Sequence, residues 1–244
     1  MQVSRRQAVS AFSIGLGVWW AGEPTLWLPG DSRGVAQAGA AKAAGPTSEP
    51  EEPVSPVEDL MREHGVLKRI LLIYEEAASR LETGRDFPAR ALADAAGIIR
   101  RFIEDYHGKL EEEYVFPRFR KANTLVDLVR VLREQHQAGR RLTDTILDGA
   151  KPGTQRALGD RRALASALRA FVRMFNPHEA REDTVLFPAF RRLVTAQEFN
   201  ALGEEFEKRE HQLFGREGFE RVVASVAEIE KSVGLYDLGQ FTAH

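Results

Sequence analysis

An internal repeat constrains this chain more than any other feature of its sequence. The segment that begins at His107 reads His-x-x-x-Glu-Glu-x-x-x-Phe-Pro-x-Phe-Arg, and the segment that begins at His178 repeats it with Asp in place of the second Glu. These segments are 71 residues apart (178 − 107), and His64 and His136 are 72 residues apart (136 − 64). A repeat of this length predicts two similar halves related by pseudo-symmetry, with equivalent side chains on opposite sides of one central site.

The apolar residues around the repeat recur at the spacing of amphipathic helices. Ser55-Pro56-Val57-Glu58 is a capping box with proline at the first helical position, and Thr124-Leu125-Val126-Asp127 resembles another. The predicted helices cover about 56–82, 88–116, 124–148 and 160–190. A tail from Thr195 to Ser232 is also helical by pattern, in two pieces, and no segment alternates as a strand does.

These elements predict an all-α fold. Four long amphipathic helices with short connections are typical of an up-down-up-down four-helix bundle, here with an additional C-terminal helical segment. We place the bundle at residues 56–192 and the C-terminal helical extension at residues 193–244.

The N-terminal residues have the order of a targeting signal. Arg5 and Arg6 precede an apolar stretch from Ala8 to Gly22, and Ala36-Gln37-Ala38 offers a cleavage site. We expect residues 1–38 to be a twin-arginine-like signal peptide, with a general secretory signal as the closest alternative. Residues 39–55 then form a flexible linker. The mature protein is expected to be periplasmic or secreted, without a stable membrane anchor.

Composition narrows the chemistry that the chain can carry. It contains no cysteine, which excludes disulfides, thiolate metal sites and iron–sulfur clusters. A metal would be held by His, Asp, Glu, Tyr or water, which favours iron, manganese or zinc. The formal net charge of −2 gives no electrostatic reason to expect a nucleic acid as partner.

Six polar residues fall on the apolar stripes of the predicted helices. They are His64, His107, Glu111, His136, His178 and Glu182. A buried, unpaired carboxylate is unfavourable by several kcal/mol, and two that face each other are worse. Two cations would remove this conflict and explain the histidines nearby. Each His-x-x-x-Glu pair leaves one helix face, with Cβ atoms about 6 Å apart. We expect the six side chains to converge on two ions about 3.5–4 Å apart.

The motif H…HxxxE…H…HxxxE, with Phe-Pro after each half, resembles the hemerythrin-like (HHE cation-binding) family over about 57–192. The resemblance implies a non-haem di-iron centre, with two iron ions held by the six residues above, and reversible binding of O₂ or NO. One histidine that the respiratory members carry in the third helix is absent here, where Leu132 or Arg140 stands. This difference leaves an open position, which Tyr106 or Tyr74 could fill.

The function therefore has several candidates at the sequence level. The first is a binding protein that captures O₂ or NO for storage, sensing or scavenging. The alternatives are a di-iron oxidoreductase that acts on peroxide, NO or Fe²⁺, and an iron storage or delivery protein. The missing histidine favours turnover over simple O₂ transport. Two lesser expectations are that Glu112 faces away from the site and that His211 lies on a solvated helix face.

Overall fold

Every regular element in the part of the chain that the computed structural model describes, residues 55–151, 153–154 and 157–243, is helical. Four helices are continuous: α1 (Pro56–Glu82), α3 (Val126–Gly149), α5 (Ala196–Phe214) and α6 (Gly218–Val233). Two are built from consecutive pieces, α2 over 89–122 and α4 over 158–193, and a short 3₁₀ helix spans Leu238–Phe241. The predicted all-α fold is confirmed. The predicted signal peptide (1–38) and all but the last residue of the linker (39–55) lie outside the described residues.

Helix α1 begins and ends as its sequence predicts. The backbone N–H of Glu58 donates to Oγ of Ser55 at 3.2 Å, and Pro56 occupies the first turn. The helix ends before Gly84, whose φ of 73° lies in the left-handed region that favours glycine. The helix between this cap and Gly84 is 27 residues long, so α1 presents one long buried stripe to its neighbours.

Helices α2 and α4 both contain π-helical turns, and one pair of these turns, Glu111–Val115 and Glu182–Leu186, occupies equivalent positions of the repeat. In α2 these turns are Ile99–His107 and Glu111–Val115, and in α4 the turn is Glu182–Leu186. The N–H of Phe116 donates to the carbonyl of Glu111, five residues earlier, and Phe187 bonds Glu182 in the same way. Proline follows each phenylalanine and has no N–H to continue the α-helical ladder, which accounts for a wider turn at this place.

The connection between α2 and α3 differs from the sequence prediction. Asn123 and Leu125 both have a positive φ (49° and 50°), and Leu125 caps α3 without a side-chain hydrogen bond. The hydroxyl of Thr124 instead donates to the carbonyl of Ala122 at 3.2 Å. The predicted capping box at Thr124 is therefore wrong. Leu125 occupies the N-cap position in the left-handed region rather than in the extended conformation that a capping side chain requires.

Packing joins the first four helices in a closed sequence of neighbours. Helix α1 packs most extensively against α4, α4 packs against α3, and α2 contacts both α1 and α3. Helices α5 and α6 pack against α1, and α6 also covers part of α2. The shared interior is apolar and includes the fully buried Leu60, Ile70, Phe116 and Phe187. None of the described helices is long and apolar enough to cross a membrane.

Candidate metal centre

All six residues predicted as metal ligands meet in the interior. His64 comes from α1, His107 and Glu111 from α2, His136 from α3, and His178 and Glu182 from α4. None of their side chains is more than 6% exposed, and both glutamates are fully buried. Their potential ligand atoms form two overlapping groups, each within 4.8 Å, and Glu111 belongs to both groups. The structure thus places together what the repeat placed on four separate helices.

The four imidazoles are arranged as two pairs. The ring centres of His64 and His107 are 4.7 Å apart, and those of His136 and His178 are 5.1 Å apart. Each pair comes from one half of the repeat: His64 and His107 from α1 and α2, and His136 and His178 from α3 and α4. Two neighbouring imidazoles on each side provide two sets of nitrogen ligands for divalent cations.

Each glutamate lies between the two histidine pairs. Oε2 of Glu111 is 3.7 Å from Nε2 of His107 and 3.4 Å from Nε2 of His136. Oε2 of Glu182 is 3.4 Å from Nε2 of His64 and 3.1 Å from Nε2 of His178. Each carboxylate therefore faces one histidine of the His64–His107 pair and one histidine of the His136–His178 pair. A carboxylate in this position could be shared by two ions, if each histidine pair held one.

The other ring nitrogen of each histidine is held by a polar side chain. Nδ1 of each ring lies 2.7–3.0 Å from an oxygen atom. The four pairs are His64 with Asp183, His107 with Glu63, His136 with Glu112, and His178 with Gln135. Carboxylate and carbonyl oxygens accept hydrogen bonds, so Nδ1 is the donor in each case. All four Nε2 atoms are then oriented toward the centre, as metal-binding histidines require.

The sequence pattern did not predict these outer hydrogen-bond partners, and the prediction for Glu112 was wrong. Glu112 does not face away: its Oε1 accepts from Nδ1 of His136 and from the guanidinium of Arg140 at 2.9 Å. A signal for the set was present in the repeat. Glu112 and Asp183 are equivalent at a shift of 71 (183 − 112), and Glu63 and Gln135 each precede a histidine of the set.

The centre is a cluster of buried acidic and imidazole groups whose pKa values depend on one another. Burial lowers the pKa of His64, but contacts with Asp183 and Glu182 outweigh it and raise that pKa to about 10. The pKa of His136 rises to about 9 for the same reason, through Glu111 and Glu112. Burial lowers the pKa of His107 to about 4. Two protonated imidazoles thus partly balance the buried carboxylates, and cations would replace these protons.

The two central carboxylates respond to their surroundings in opposite directions. Burial raises the pKa of Glu111, and the charge of Glu182 raises it further. Burial also opposes ionisation of Glu182, but the contacts with His178 and His64 hold its pKa well below the usual value. Neither carboxylate makes a hydrogen bond of good geometry within the described residues. Fully buried oxygens without such bonds, facing imidazole nitrogens, fit a site built for cations.

A small cavity adjoins the histidines. It is lined by all four of them, and also by Leu67, Ile103, Glu104, Gly108, Arg140 and Phe175. Its volume of about 10 Å³ is about that needed for one water molecule. Tyr74 and Tyr106, considered above as further ligands, are not among the residues that line it. A molecule that reaches the centre through this cavity would have to be very small.

Glu104 is a buried carboxylate of the cavity wall that sequence analysis did not single out. It is 5% exposed, its Oε1 accepts from the hydroxyl of Thr143 at 2.6 Å, and the guanidinium of Arg100 lies 3.1 Å from Oε2. Burial raises its pKa. A carboxyl group that holds its proton more tightly than usual can donate or accept protons close to the centre.

His211 lies apart from this centre. Its side chain is 29% exposed, and its Nε2 is 4.0 Å from Glu207. Glu210, one residue before it, is fully buried and accepts from the N–H of Phe219 at 2.8 Å.

Fold and site define a helical protein with a histidine- and glutamate-rich centre, and comparison with known proteins gives its family. The chain belongs to the hemerythrin HHE cation binding domain family, whose model matches residues 55–158 and 127–241. The two matches begin 72 residues apart (127 − 55), the same shift that relates His64 to His136.

Its curated relatives are mycobacterial. Uncharacterized protein Rv1995 of Mycobacterium tuberculosis (strain ATCC 25618 / H37Rv) and uncharacterized protein Mb2018 of Mycobacterium bovis are each 56% identical over 196 residues. The aligned region covers 80% of this chain and 77% of each relative. No solved structure matches the chain.

Proposed function

We propose that this chain is a non-haem di-iron protein whose His₄Glu₂ centre binds a small ligand, O₂ or NO, for storage, sensing or scavenging. The observation that carries the proposal is the position of Glu111 and Glu182 between the two histidine pairs. The ligands would be His64 and His107 for one ion and His136 and His178 for the other, with both glutamates shared. Imidazole and carboxylate donors suit iron in this setting.

The proposed architecture is an up-down-up-down four-helix bundle over residues 56–192. It is supported by the closed sequence of contacts in which α1 adjoins α4, α4 adjoins α3, and α2 adjoins α1 and α3. Such a bundle brings one face of each helix to a common axis, which is where metal sites of this class are built. The boundaries of the bundle (56–192) and of the C-terminal extension (193–244) remain predictions.

Bound iron would supply open coordination positions and redox chemistry for a small ligand. The residues of this chain determine which ligands can approach and under what conditions. Leu67, Ile103 and Phe175 give the cavity apolar walls that limit the entry of water. The small cavity volume favours a diatomic ligand over a bulky organic substrate.

Turnover of peroxide or NO is a second candidate, and Glu104 is the observation that favours it. Reduction of peroxide consumes protons, and a cavity that only binds O₂ reversibly has no need of a buried acid. The Glu104 carboxylate lines the cavity and is positioned by Thr143 and Arg100. This arrangement would place a proton donor next to a ligand at the centre.

One experiment tests the proposed function and separates its two forms. The purified protein is reduced without oxygen, its iron is counted by elemental analysis, and O₂ and then peroxide are added while the optical spectrum is followed. Two irons per chain and a reversible oxy band support a binding protein. Two irons with rapid decay of the band or gas evolution support an oxidoreductase. A purified protein that cannot be loaded with two irons contradicts the proposal in both forms.

We also propose export of the protein to the periplasm or the exterior by a twin-arginine-type signal in residues 1–38. The proposal is supported by the order of paired arginines, apolar stretch and small-residue site in the sequence. That route carries folded proteins, which is compatible with a metal centre assembled before export.

A further inference from the structure

The hydrogen-bond partners of the four histidines are not chemically equal. Three Nδ1 atoms donate to carboxylates: His64 to Asp183, His107 to Glu63, and His136 to Glu112. The fourth, Nδ1 of His178, donates to the amide oxygen of Gln135 at 2.8 Å. One partner out of four is therefore neutral.

The repeat shows where the symmetry is broken. Glu63 precedes His64 and Gln135 precedes His136, so the two occupy equivalent positions at a shift of 72 (135 − 63). Each reaches across to a histidine of the neighbouring helix, Glu63 to His107 and Gln135 to His178. The two hydrogen bonds have the same length, 2.8 Å, in both halves of the repeat. Only the charge of the acceptor differs.

The neutral partner lies on one side of the centre. The His64–His107 pair is supported by two carboxylates, Asp183 and Glu63. The His136–His178 pair is supported by one carboxylate, Glu112, and by the amide of Gln135. A hydrogen bond to a charged acceptor is stronger and makes the imidazole a better electron donor to a metal.

The remaining carboxylate on the weaker side is also partly neutralised. Oε1 of Glu112 accepts from Arg140 at 2.9 Å as well as from His136, and Oε2 accepts from Lys109 at 3.0 Å. The positive charges of Arg140 and Lys109 attract electron density from the Glu112 carboxylate, which weakens its effect on His136. The neutral amide of Gln135 and the two positively charged neighbours of Glu112 all lie on the His136–His178 side.

We propose that the two metal positions have unequal affinities, and that Gln135 is the positioning residue that sets the difference. The position at His64 and His107 binds its ion more tightly, and the position at His136 and His178 binds second and releases first. This inference rests on the proposed two-metal function. If the affinities differ in this way, the protein passes through a state with one bound ion as metal is added.

Anaerobic titration of the metal-free protein with Fe²⁺, followed by equilibrium dialysis and elemental analysis, tests this inference. The wild type should bind two ions in two separate steps. Gln135→Glu should tighten the weaker step about tenfold, and Glu63→Gln should weaken the tighter step about tenfold, as expected for a changed partner of a ligand histidine. Because Gln135→Glu is expected to increase affinity, structural damage cannot imitate its effect.

Gln137→Glu is the matched control, because it adds the same charge two residues further along α3 at an exposed position. It should leave both steps as in the wild type, and circular dichroism of each metal-free variant checks the fold. Two equal affinities in the wild type, or a weaker step that does not respond to Gln135→Glu, would overturn the inference while two bound ions still support the proposed function. A wild type that never holds two ions contradicts the proposed function itself.

Discussion

The carboxylate of Glu112 and the imidazole of His136 are hydrogen-bonded across two helices, with Oε1 of Glu112 3.0 Å from Nδ1 of His136. Glu112 follows Glu111 directly, so two consecutive carboxylates serve the same centre from one turn of α2. Glu111 points at the Nε2 side of His136, and Glu112 holds its Nδ1 side. A single π-helical turn thus supplies a hydrogen-bond acceptor for Nδ1 of His136 and a carboxylate 3.4 Å from its Nε2.

Glu112→Gln should weaken metal binding without abolishing the site. The amide can still accept from His136, but it carries no charge and loses the ion pair with Arg140. We expect about tenfold weaker Fe²⁺ binding with the number of ions unchanged at saturation. Glu113→Gln is the control, since Glu113 is about half exposed and pairs with Arg209 instead. Equal affinities for the two variants would show that the Glu112 contact has no effect on the metal.

Glu111→Ala should reduce the number of ions that are bound, and not only their affinity. Glu111 is fully buried and faces His107 and His136, one from each pair, so its loss removes a shared ligand. We expect well under two irons per chain by elemental analysis after gel filtration. Glu113→Ala, in the same helical turn, should keep the wild-type content. A Glu111→Ala protein that retains two irons would show that Glu111 is not shared between them.

The sequence predicted the inner residues of the centre better than the outer ones. His107 and Glu111 are four residues apart on one helix, and their common face follows from helix geometry alone. By contrast, Asp183 reaches His64 over 119 residues of sequence and Glu63 reaches His107 over 44. Contacts of this kind depend on how two helices are rotated against each other. Periodicity does not determine that rotation.

Helix ends show the same distinction on a smaller scale. The cap at Ser55 is local, needs only residues 55–58, and was predicted correctly. The start of α3 depends on a reversal of the chain with positive φ at Asn123 and Leu125, and the capping pattern at Thr124 failed there. The π-helical turns were also missed, although a proline at a fixed distance after each Glu is a usable signal.

Glu104→Gln should change how stability depends on pH. Burial raises the pKa of Glu104, so the folded protein holds this proton more tightly than the unfolded chain does. As pH rises through the interval between the two pKa values, the unfolded chain loses its proton first, and the wild type loses stability relative to the variant. Urea unfolding of both metal-free proteins at about pH 5 and pH 7.5 measures this difference. If the variant does not gain stability relative to the wild type between about pH 5 and pH 7.5, the raised pKa assigned to Glu104 is wrong.

Export can be tested apart from the metal centre. Residues 1–40 fused to a reporter should direct it out of the cytoplasm, and Arg5→Lys with Arg6→Lys should block a twin-arginine route. The paired lysines keep the charge, so a general secretory signal would tolerate them. Fractionation of cells that express the two fusions gives the answer. Unchanged export of the double variant would assign the signal to the general secretory route.

Removal of metal should lower the melting temperature of the protein. The centre contains Glu111 and Glu182, both fully buried, and no oxygen of either makes a good hydrogen bond within the described residues. Without cations, such carboxylates must be protonated, paired with protonated histidines, or hydrated, and each option is unfavourable in an apolar interior. The unfolded chain has no assembled site and gains little from metal.

Binding of one ion to the native state alone adds about 2.7 kcal/mol of stability when free metal is at 100 times its dissociation constant. For a domain of this size, loss of one such ion corresponds to a fall of roughly 5–10 °C in melting temperature, and loss of both ions on chelation to a larger fall. Differential scanning calorimetry with and without metal measures it. Glu113→Ala should show the full shift, and Glu111→Ala should show a much smaller one because it cannot hold both ions. If chelation leaves the wild-type melting temperature unchanged, the buried carboxylates are stabilised by some means other than metal.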